Sequence, residues 1–171
     1  YGPSCFVLHS DGGGSDMLRV PYGGYRNPSS TEGFERKVDE EGNILSGEQL
    51  HMRGMDVFNF GLRVVPSGIK EILKVLGIED VDIIHFHQAN RFMTDFFAKK
   101  LRFPLDRVPY SLGYFGNTSA ASIPLNMVHT MYDGSFPRRR HVLMAGFGAG
   151  LAWGTAYLSL ENLRISKLIE Y

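Results

Sequence analysis

The sequence is poor in cysteine, because Cys5 is the only one among 171 residues. An internal disulfide is therefore excluded, and a chain without disulfides fits a reducing compartment, so we expect a cytoplasmic protein. Cys5 lies within an apolar, strand-like segment. We interpret it as a small hydrophobic residue rather than as a nucleophile.

Long apolar runs are also lacking. No stretch approaches the roughly 20 consecutive apolar residues that a membrane-spanning helix needs. The chain opens at Tyr1 without the pattern of a signal peptide. We therefore expect neither a membrane span nor secretion.

The sequence carries no excess of charge of either sign. Lys+Arg and Asp+Glu both number 18, which gives a formal net charge of zero. A nucleic-acid-binding domain is usually strongly basic, so we expect no nucleic-acid partner. With 43% hydrophobic and 21% charged residues, the composition is that of an ordinary globular domain or of a fragment of a larger enzyme.

Four apolar segments have the length and the flanking residues of β-strands. They cover residues 4–9, 83–86, 141–145 and 151–160. A glycine-rich turn at 146–150 joins the last two, which predicts an antiparallel hairpin. Strands alternating with helical segments predict an α/β domain, with a mixed sheet and helices packed on it.

Two long segments show helical periodicity. In the first, residues 54–76, Pro66 predicts either a kink or a break into two helices. The second covers residues 90–102, with Asn90 as its cap and with an apolar arc that includes Phe92. A third helix is expected to end near residue 132. By contrast, residues 11–53 are rich in Gly, Pro, Ser and charge, which predicts a long loop that faces or covers a substrate.

A histidine follows directly on the predicted strand 83–86. His87 thus lies at the carboxyl end of a buried strand, where an α/β sheet opens and ligands bind. We interpret His87 as a catalytic hydrogen-bond donor, and Asn117, in a turn after Gly116, as its partner. The glycine-rich turn at 146–150 can present backbone N–H groups to an oxyanion that develops during a reaction.

Two other interpretations of His87 stay open. It can be a hydrogen-bonded structural histidine, or a metal ligand together with His85, which shares its face on a strand. The sequence offers no nearby cluster of Asp, Glu or Cys, so we expect no metal. It also lacks a Gly-x-Ser-x-Gly segment, so a nucleophile with its own base is not evident.

Three motifs together resemble one family. They are His87-Gln88-Ala89-Asn90, Gly116-Asn117-Thr118-Ser119-Ala120-Ala121, and Phe147-Gly148-Ala149-Gly150 with Trp153-Gly154. Their order and spacing are similar to those of β-ketoacyl-acyl-carrier-protein synthase III. The resemblance runs from about His9 to Leu160, and it covers only the C-terminal half of that family's chain. It implies half of a thiolase-like fold, a layered α/β structure with a mixed, mainly five-stranded sheet.

The resemblance implies a decarboxylative Claisen condensation that initiates fatty acid biosynthesis. A cysteine in the absent N-terminal half would take an acyl group from acyl-CoA, and malonyl-acyl-carrier protein would supply the carbanion. In matching positions, His87 and Asn117 would hydrogen-bond the malonyl thioester oxygen. Cys5 does not match the nucleophile, so we expect this chain alone to be inactive. No cofactor is implied, since acyl-CoA and the phosphopantetheine-bound malonyl group are substrates.

Further site residues follow from the matching positions. Phe147 corresponds to the phenylalanine of the decarboxylation pocket, and the backbone N–H of Ala149 to an oxyanion donor. Gly54 and Asn90 correspond to positions near the pantetheine arm. Each of these is implied by the resemblance alone.

The resemblance also implies partners. Arg91, Lys99 and Lys100, the last beside the apolar arc, lie on the helix that corresponds to the docking surface for acyl carrier protein. A solvated helix face is the other interpretation of these charges. The chain's own N-terminal half and a homodimer of the intact enzyme are further expected partners. Two alternative functions stay open: a related enzyme of polyketide, alkylquinolone or ester formation, and a non-catalytic domain that binds CoA or acyl carrier protein.

Overall fold

The computed structural model describes residues 3–132, 141–160 and 165–169. The chain divides into two compact units. The first comprises residues 1–9, 60–147 and 153–171, and the second comprises residues 10–59 and 148–152. Among the described residues, no helix is both long enough and apolar enough to span a lipid bilayer.

The strands are β1 (Ser4–Ser10), β2 (Leu18–Arg19), β3 (Arg36–Val38), β4 (Ile44–Ser46), β5 (His51–Met52), β6 (Ile83–Phe86), β7 (His141–Gly148) and β8 (Ala152–Ser159). The α-helices are α1 (Thr31–Phe34), α2 (Gly54–Leu76), α3 (Arg91–Leu101), α4 (Leu112–Phe115) and α5 (Ser122–Met131). Short 3₁₀ turns occupy Gly12–Gly14, Leu105–Arg107 and Ser119–Ala121.

The first unit is built on a mixed sheet, with the strand order β1-β8-β7-β6 in the described part of the chain. β6 and β7 run parallel, with Ile83 opposite Val142. Only three residues join β7 to β8, so these neighbours run antiparallel. The α/β prediction is confirmed. The sheet has four strands in the described residues rather than five, because each of the four predicted apolar segments supplies one strand and the remaining short strands pair with one another.

Helix α2 runs without interruption through Pro66, so of the two predicted outcomes, a kink or a break into two helices, the break is wrong. A proline inside a helix costs about 3 kcal/mol. Against this cost, α2 buries a row of apolar side chains, among them Val64, Ile69 and Ile72. Each such burial contributes about 1.5–3 kcal/mol, so packing outweighs the cost of the proline and the helix continues through it.

Helix α3 begins after Asn90, as predicted, and buries Met93 and Phe97, of which Phe97 packs on the sheet. The Phe97 ring lies 5.2 Å from that of Phe86 on β6. Phe92 does not belong to this buried face, because its side chain is 64% exposed. The buried residues of α3 are Met93, Thr94, Phe97 and Ala98. The buried face is therefore centred away from Phe92, which the predicted apolar arc wrongly included.

The second unit contains more regular structure than the predicted long loop. β2 pairs with β5 and β3 pairs with β4, both antiparallel. Asp11 and Leu151 exchange backbone hydrogen bonds of 2.7 and 2.9 Å. Strands of two or three residues are too short to show an alternating apolar pattern, which is why the sequence did not reveal them.

Candidate active site

His87 lies directly after strand β6, at the position predicted from the sequence. Its backbone N–H donates to the Ala145 carbonyl at 2.8 Å and so continues the pairing with β7. Because β6 and β7 are parallel, their carboxyl ends meet at one edge of the sheet. Phe147 on β7 lies there too, with its ring centroid 5.7 Å from that of His87 and at 84° to it. The half-buried imidazole therefore has an aromatic ring at its side.

Helix α5 holds the other side of the His87 ring. Nδ1 lies 2.6 Å from Ser122 Oγ. Burial lowers the pKa of His87 from the ordinary value of 6.5, and a hydrogen bond with the Ser119 backbone opposes this change. Since burial is the larger effect, His87 is neutral at neutral pH, with one N–H donor and one bare nitrogen.

Asn117 lies between α4 and the 3₁₀ turn that precedes α5. Its side chain is exposed, and its Oδ1 accepts a hydrogen bond of 2.9 Å from the Ser119 backbone N–H. Ser119 has a φ of 54°, a left-handed conformation that this bond supports. The Ser119 backbone also contacts the His87 ring. His87 and Asn117 therefore reach the same residue, and the carboxamide, with its oxygen engaged, has its NH₂ group to offer as a donor.

The sequence analysis predicted that Phe147 lies in the glycine-rich turn at 146–150, but in the structure it lies in strand β7. The strand continues to Gly148, so the turn that remains is only three residues long. The Phe147 ring makes edge contacts with Phe60 and Phe97, in each case with 6.3 Å between ring centroids. It is thus fixed by aromatic neighbours on α2 and α3 as well as by His87.

Two predicted site residues belong to the second unit. Ala149 is exposed and is the first residue of the turn that joins β7 to β8. Gly54 is half-buried and is the first residue of helix α2. Their roles in oxyanion and substrate binding stay predictions.

Asn90 caps helix α3. Its Oδ1 accepts a hydrogen bond of 2.9 Å from the Met93 N–H, and its backbone is extended, as an N-cap requires. This contact gives Asn90 a structural role that the sequence predicted. Its proposed contact with substrate stays a prediction.

The three cations predicted to dock a carrier protein are exposed on α3. Arg91 Nε lies 3.6 Å from Asp95 Oδ2, and its guanidinium is 5.2 Å from the centre of the Tyr110 ring. Lys99 and Lys100 are in the last turn of the helix. Lys100 is exposed despite its predicted position beside the apolar arc, so all three cations lie on accessible surface.

Sequence reasoning missed a buried polar face on α5. Ser122, Asn126 and Thr130 are spaced by four residues, and all three are buried. Asn126 Oδ1 lies 2.6 Å from Nδ1 of His85, which is fully buried. Burial lowers the pKa of His85 to about 4, although the bond to Asn126 opposes this. The signal was available, because polar residues at i, i+4 and i+8 form one stripe along a helix.

His85 and His87 share a strand face, as predicted, since both meet side chains of α5. This arrangement does not by itself make a metal site. Within the described residues, His, Cys, Asp and Glu side chains form no group of three or more that could hold a metal ion. Each Nδ1 is instead engaged with a neutral side chain.

Comparison with known proteins places this geometry in a family. Residues 74–160, which include β6, His87, the Asn117 loop and Phe147, match the family model described as 3-oxoacyl-(acyl-carrier-protein) synthase III C terminal. The chain belongs to this family. The match covers the three motifs whose order and spacing suggested the resemblance, up to Leu160.

Individual relatives agree with the assignment. The chain is 38% identical over 153 residues to the β-ketoacyl-(acyl-carrier-protein) synthase III of Clostridium acetobutylicum. The aligned region covers 88% of this chain and 44% of that protein. It is 37% identical over 148 residues to the acetoacetyl CoA synthase NphT7 of a Streptomyces species, covering 85% and 42% of the two proteins. The crystal structure of the 3-oxoacyl-(acyl-carrier protein) synthase of Burkholderia xenovorans superposes with a TM-score of 0.84 at 37% identity, covering 98% and 47% of the two chains.

These figures also define the extent of the chain. It spans about half the length of the synthase III relatives that it matches. The superposition confirms the thiolase-like α/β fold expected from the resemblance.

Proposed function

We propose that this chain is the C-terminal catalytic half of a condensing enzyme. The enzyme would join an acyl group from acyl-CoA to malonyl-acyl-carrier protein and so initiate fatty acid biosynthesis. The observation that carries the proposal is the neutral, half-buried His87 at the carboxyl end of β6, held between Ser122 and Phe147 in the region that matches the family.

In the proposed reaction, this half stabilises a carbanion. Loss of CO₂ from the malonyl group breaks a C–C bond and leaves the electron pair delocalised onto the thioester oxygen as an enolate. A neutral His87 N–H and the Asn117 NH₂ would donate to that oxygen. The carbanion then attacks the acyl-enzyme, so that a new C–C bond forms and the cysteine thiolate leaves. Donors fixed before the reaction need no reorganisation as charge develops.

The nucleophile would come from the N-terminal half. Cys5, the single cysteine, is half-buried on strand β1 and contributes to the sheet rather than to the turn that a nucleophile would need. We therefore predict that acetyl-CoA leaves no stable thioester on this chain alone. Labelling of Cys5 by acetyl-CoA would contradict this.

The test replaces each donor in the full-length protein. His87→Ala and Asn117→Ala should each lower the rate of malonyl decarboxylation and condensation by about 10²–10³, the usual effect of losing one oxyanion donor. His129→Ala is the matched control, because this histidine packs on Tyr114 and Phe115 and not on His87. Both donor variants condensing at the wild-type rate would refute the proposal and favour a binding domain without catalysis.

The acceptor has a second candidate. NphT7, at 37% identity, is named an acetoacetyl CoA synthase. A CoA thioester rather than a carrier-protein thioester is therefore an alternative acceptor for this enzyme too. Comparing kcat/KM for malonyl-CoA and malonyl-acyl-carrier protein decides between them, and the exposed cations of α3 favour the acidic carrier protein.

The intact enzyme is proposed to be a homodimer, in which each subunit combines this half with its own N-terminal half. The support is analogy with relatives of the same fold. Light scattering of the full-length protein tests it, and a monomer with full activity would contradict it.

A further inference from the structure

A chain of buried polar side chains lies behind His87. Its members are each at most 2% exposed, and all belong to the first unit: Ser122, Gln88, Ser111, Asn126 and His85. Buried polar groups are costly unless they are hydrogen-bonded, so a connected set of this kind fixes the positions of its members.

Ser122 is the member that touches His87. Its Oγ lies 2.6 Å from His87 Nδ1, and it also accepts a hydrogen bond of 3.4 Å from the Gln88 backbone N–H. The Gln88 bond occupies a lone pair of the hydroxyl oxygen and directs the hydroxyl proton elsewhere. Nδ1 of His87 is within reach of that proton and can accept it.

The Gln88 side chain anchors the next part of the chain. Its Nε2 donates to the Phe86 carbonyl at 2.9 Å, and its Oε1 accepts from the Ser111 N–H at 3.0 Å. Both ends of the amide are therefore engaged. The segment that carries His87 is held at the residue before it and at the residue after it.

Asn126 closes the chain on the other side. Its Nδ2 donates to Ser111 Oγ at 2.9 Å, and its Oδ1 accepts from His85 Nδ1 at 2.6 Å. His85 Nε2 is buried without a hydrogen-bond partner, which suits a bare nitrogen rather than an N–H. Since Ser122 and Asn126 are four residues apart on one face of α5, their bonds to His87 and His85 together set the rotation of α5 about its axis.

We propose that Ser122 is a positioning residue for His87: its hydroxyl donates to Nδ1, so that Nε2 carries the proton that His87 offers to the substrate. The inference rests on the proposed function of His87 as a donor. A neutral imidazole has a single N–H, and the group that hydrogen-bonds one nitrogen decides which nitrogen is protonated. The hydrogen bonds of the buried polar side chains hold the Ser122 hydroxyl within bonding distance of that nitrogen.

The experiment uses the full-length enzyme. Ser122→Ala removes the hydroxyl, Ser122→Thr retains it, and Thr130→Val is the matched control, because it deletes a buried hydroxyl of the same helix two turns away. Kinetics with malonyl-acyl-carrier protein are combined with ¹⁵N NMR of labelled histidine, which reports the tautomer of His87 independently of activity.

We expect the Nε2–H tautomer in the wild type and in Ser122→Thr, and a mixture of tautomers in Ser122→Ala. The Ala variant should lose about tenfold in kcat with KM little changed, which corresponds to one neutral hydrogen bond, and Thr130→Val should lose neither.

An Nδ1–H tautomer in the wild type would overturn the proposal. So would a Ser122→Ala enzyme with the wild-type tautomer and rate, or an equal loss of rate in Thr130→Val with no change of tautomer. A wild-type protein that does not condense, yet shows the tautomer change in Ser122→Ala, would refute the proposed function while supporting the positioning role.

Discussion

A methyl group added at Gly61 should disturb the site from the side of helix α2. A Cβ built at this position would stand 2.5 Å from Met93 Cε and 2.8 Å from Phe147 Cε2. Real Cβ atoms do not come this close to other heavy atoms, so Gly61→Ala forces at least one of these side chains to move.

The two neighbours differ in how easily they yield. The Met93 terminal methyl group is at the end of a flexible side chain and can rotate away. The Phe147 ring is held by edge contacts with Phe60, Phe97 and His87, at centroid distances of 6.3, 6.3 and 5.7 Å. Overpacking of this kind costs about 1–3 kcal/mol, of which the better helix propensity of alanine returns about 1 kcal/mol. We expect a net loss of up to about 2 kcal/mol in the free energy of unfolding.

We also expect a large fall in the condensation rate of Gly61→Ala, beyond what the small loss of stability would cause. Phe147 lies against His87, and a displacement of about 1 Å near a reacting group can cost about 10² in rate. Urea denaturation and condensation kinetics of the full-length enzyme measure the two effects. Gly113→Ala is the control, because a Cβ at this helical glycine would meet no atom within 4 Å. A Gly61→Ala enzyme with the wild-type denaturation midpoint and the wild-type rate would refute this account of the packing around Phe147.

Three further predictions concern other parts of the first unit. Burial lowers the pKa of His85 from 6.5 to about 4, so the unfolded chain binds a proton that the folded chain does not. The contribution of His85 to stability is fully present above pH 6.5 and should fall by about 3 kcal/mol as the pH drops to 4. His85→Gln should therefore make the dependence of stability on pH in urea denaturation shallower by this amount, while the part that comes from His87 stays. An unchanged slope in that variant would contradict the assignment. Asn90→Ala should cost about 1 kcal/mol of stability through loss of the cap, whereas Asn90→Asp keeps an acceptor for the Met93 N–H and should not. If the Asp variant is stable but has a raised KM for acyl-CoA, the carboxamide also contacts substrate. Lys99→Glu should raise KM for malonyl-acyl-carrier protein, most strongly at low salt, while kcat stays unchanged, and Lys74→Glu on α2 is the matched control. Equal effects of the two reversals would indicate general charge rather than a docking surface.

Much of the fold could be predicted because its elements are encoded locally. The strand 83–86 was predicted with its observed limits, because a short run dominated by apolar residues and followed directly by polar ones is typical of a buried strand. Asn90 was predicted as the cap of α3 from its position before a periodic segment. The location of His87 at the end of a buried strand followed from the same pattern.

Other features depended on interactions that no local pattern contains. Pro66 predicted a break or a kink, and whether α2 breaks was decided by the apolar side chains that it buries along its length. Strands β2 to β5 are too short to show a period, so only their pairing defines them. In both cases the tertiary contacts outweigh or replace the local preference.

The sequence by itself determined the α/β class, the strand that carries His87 and the three motifs of the family. Only the tertiary structure decided that Ser122 and Asn126, 35 and 41 residues away, meet His87 and His85. The physical reason is that an element forms from its own periodicity, whereas the side chains that two elements present to each other depend on how each is rotated. That rotation is set by the sum of all the contacts in the core.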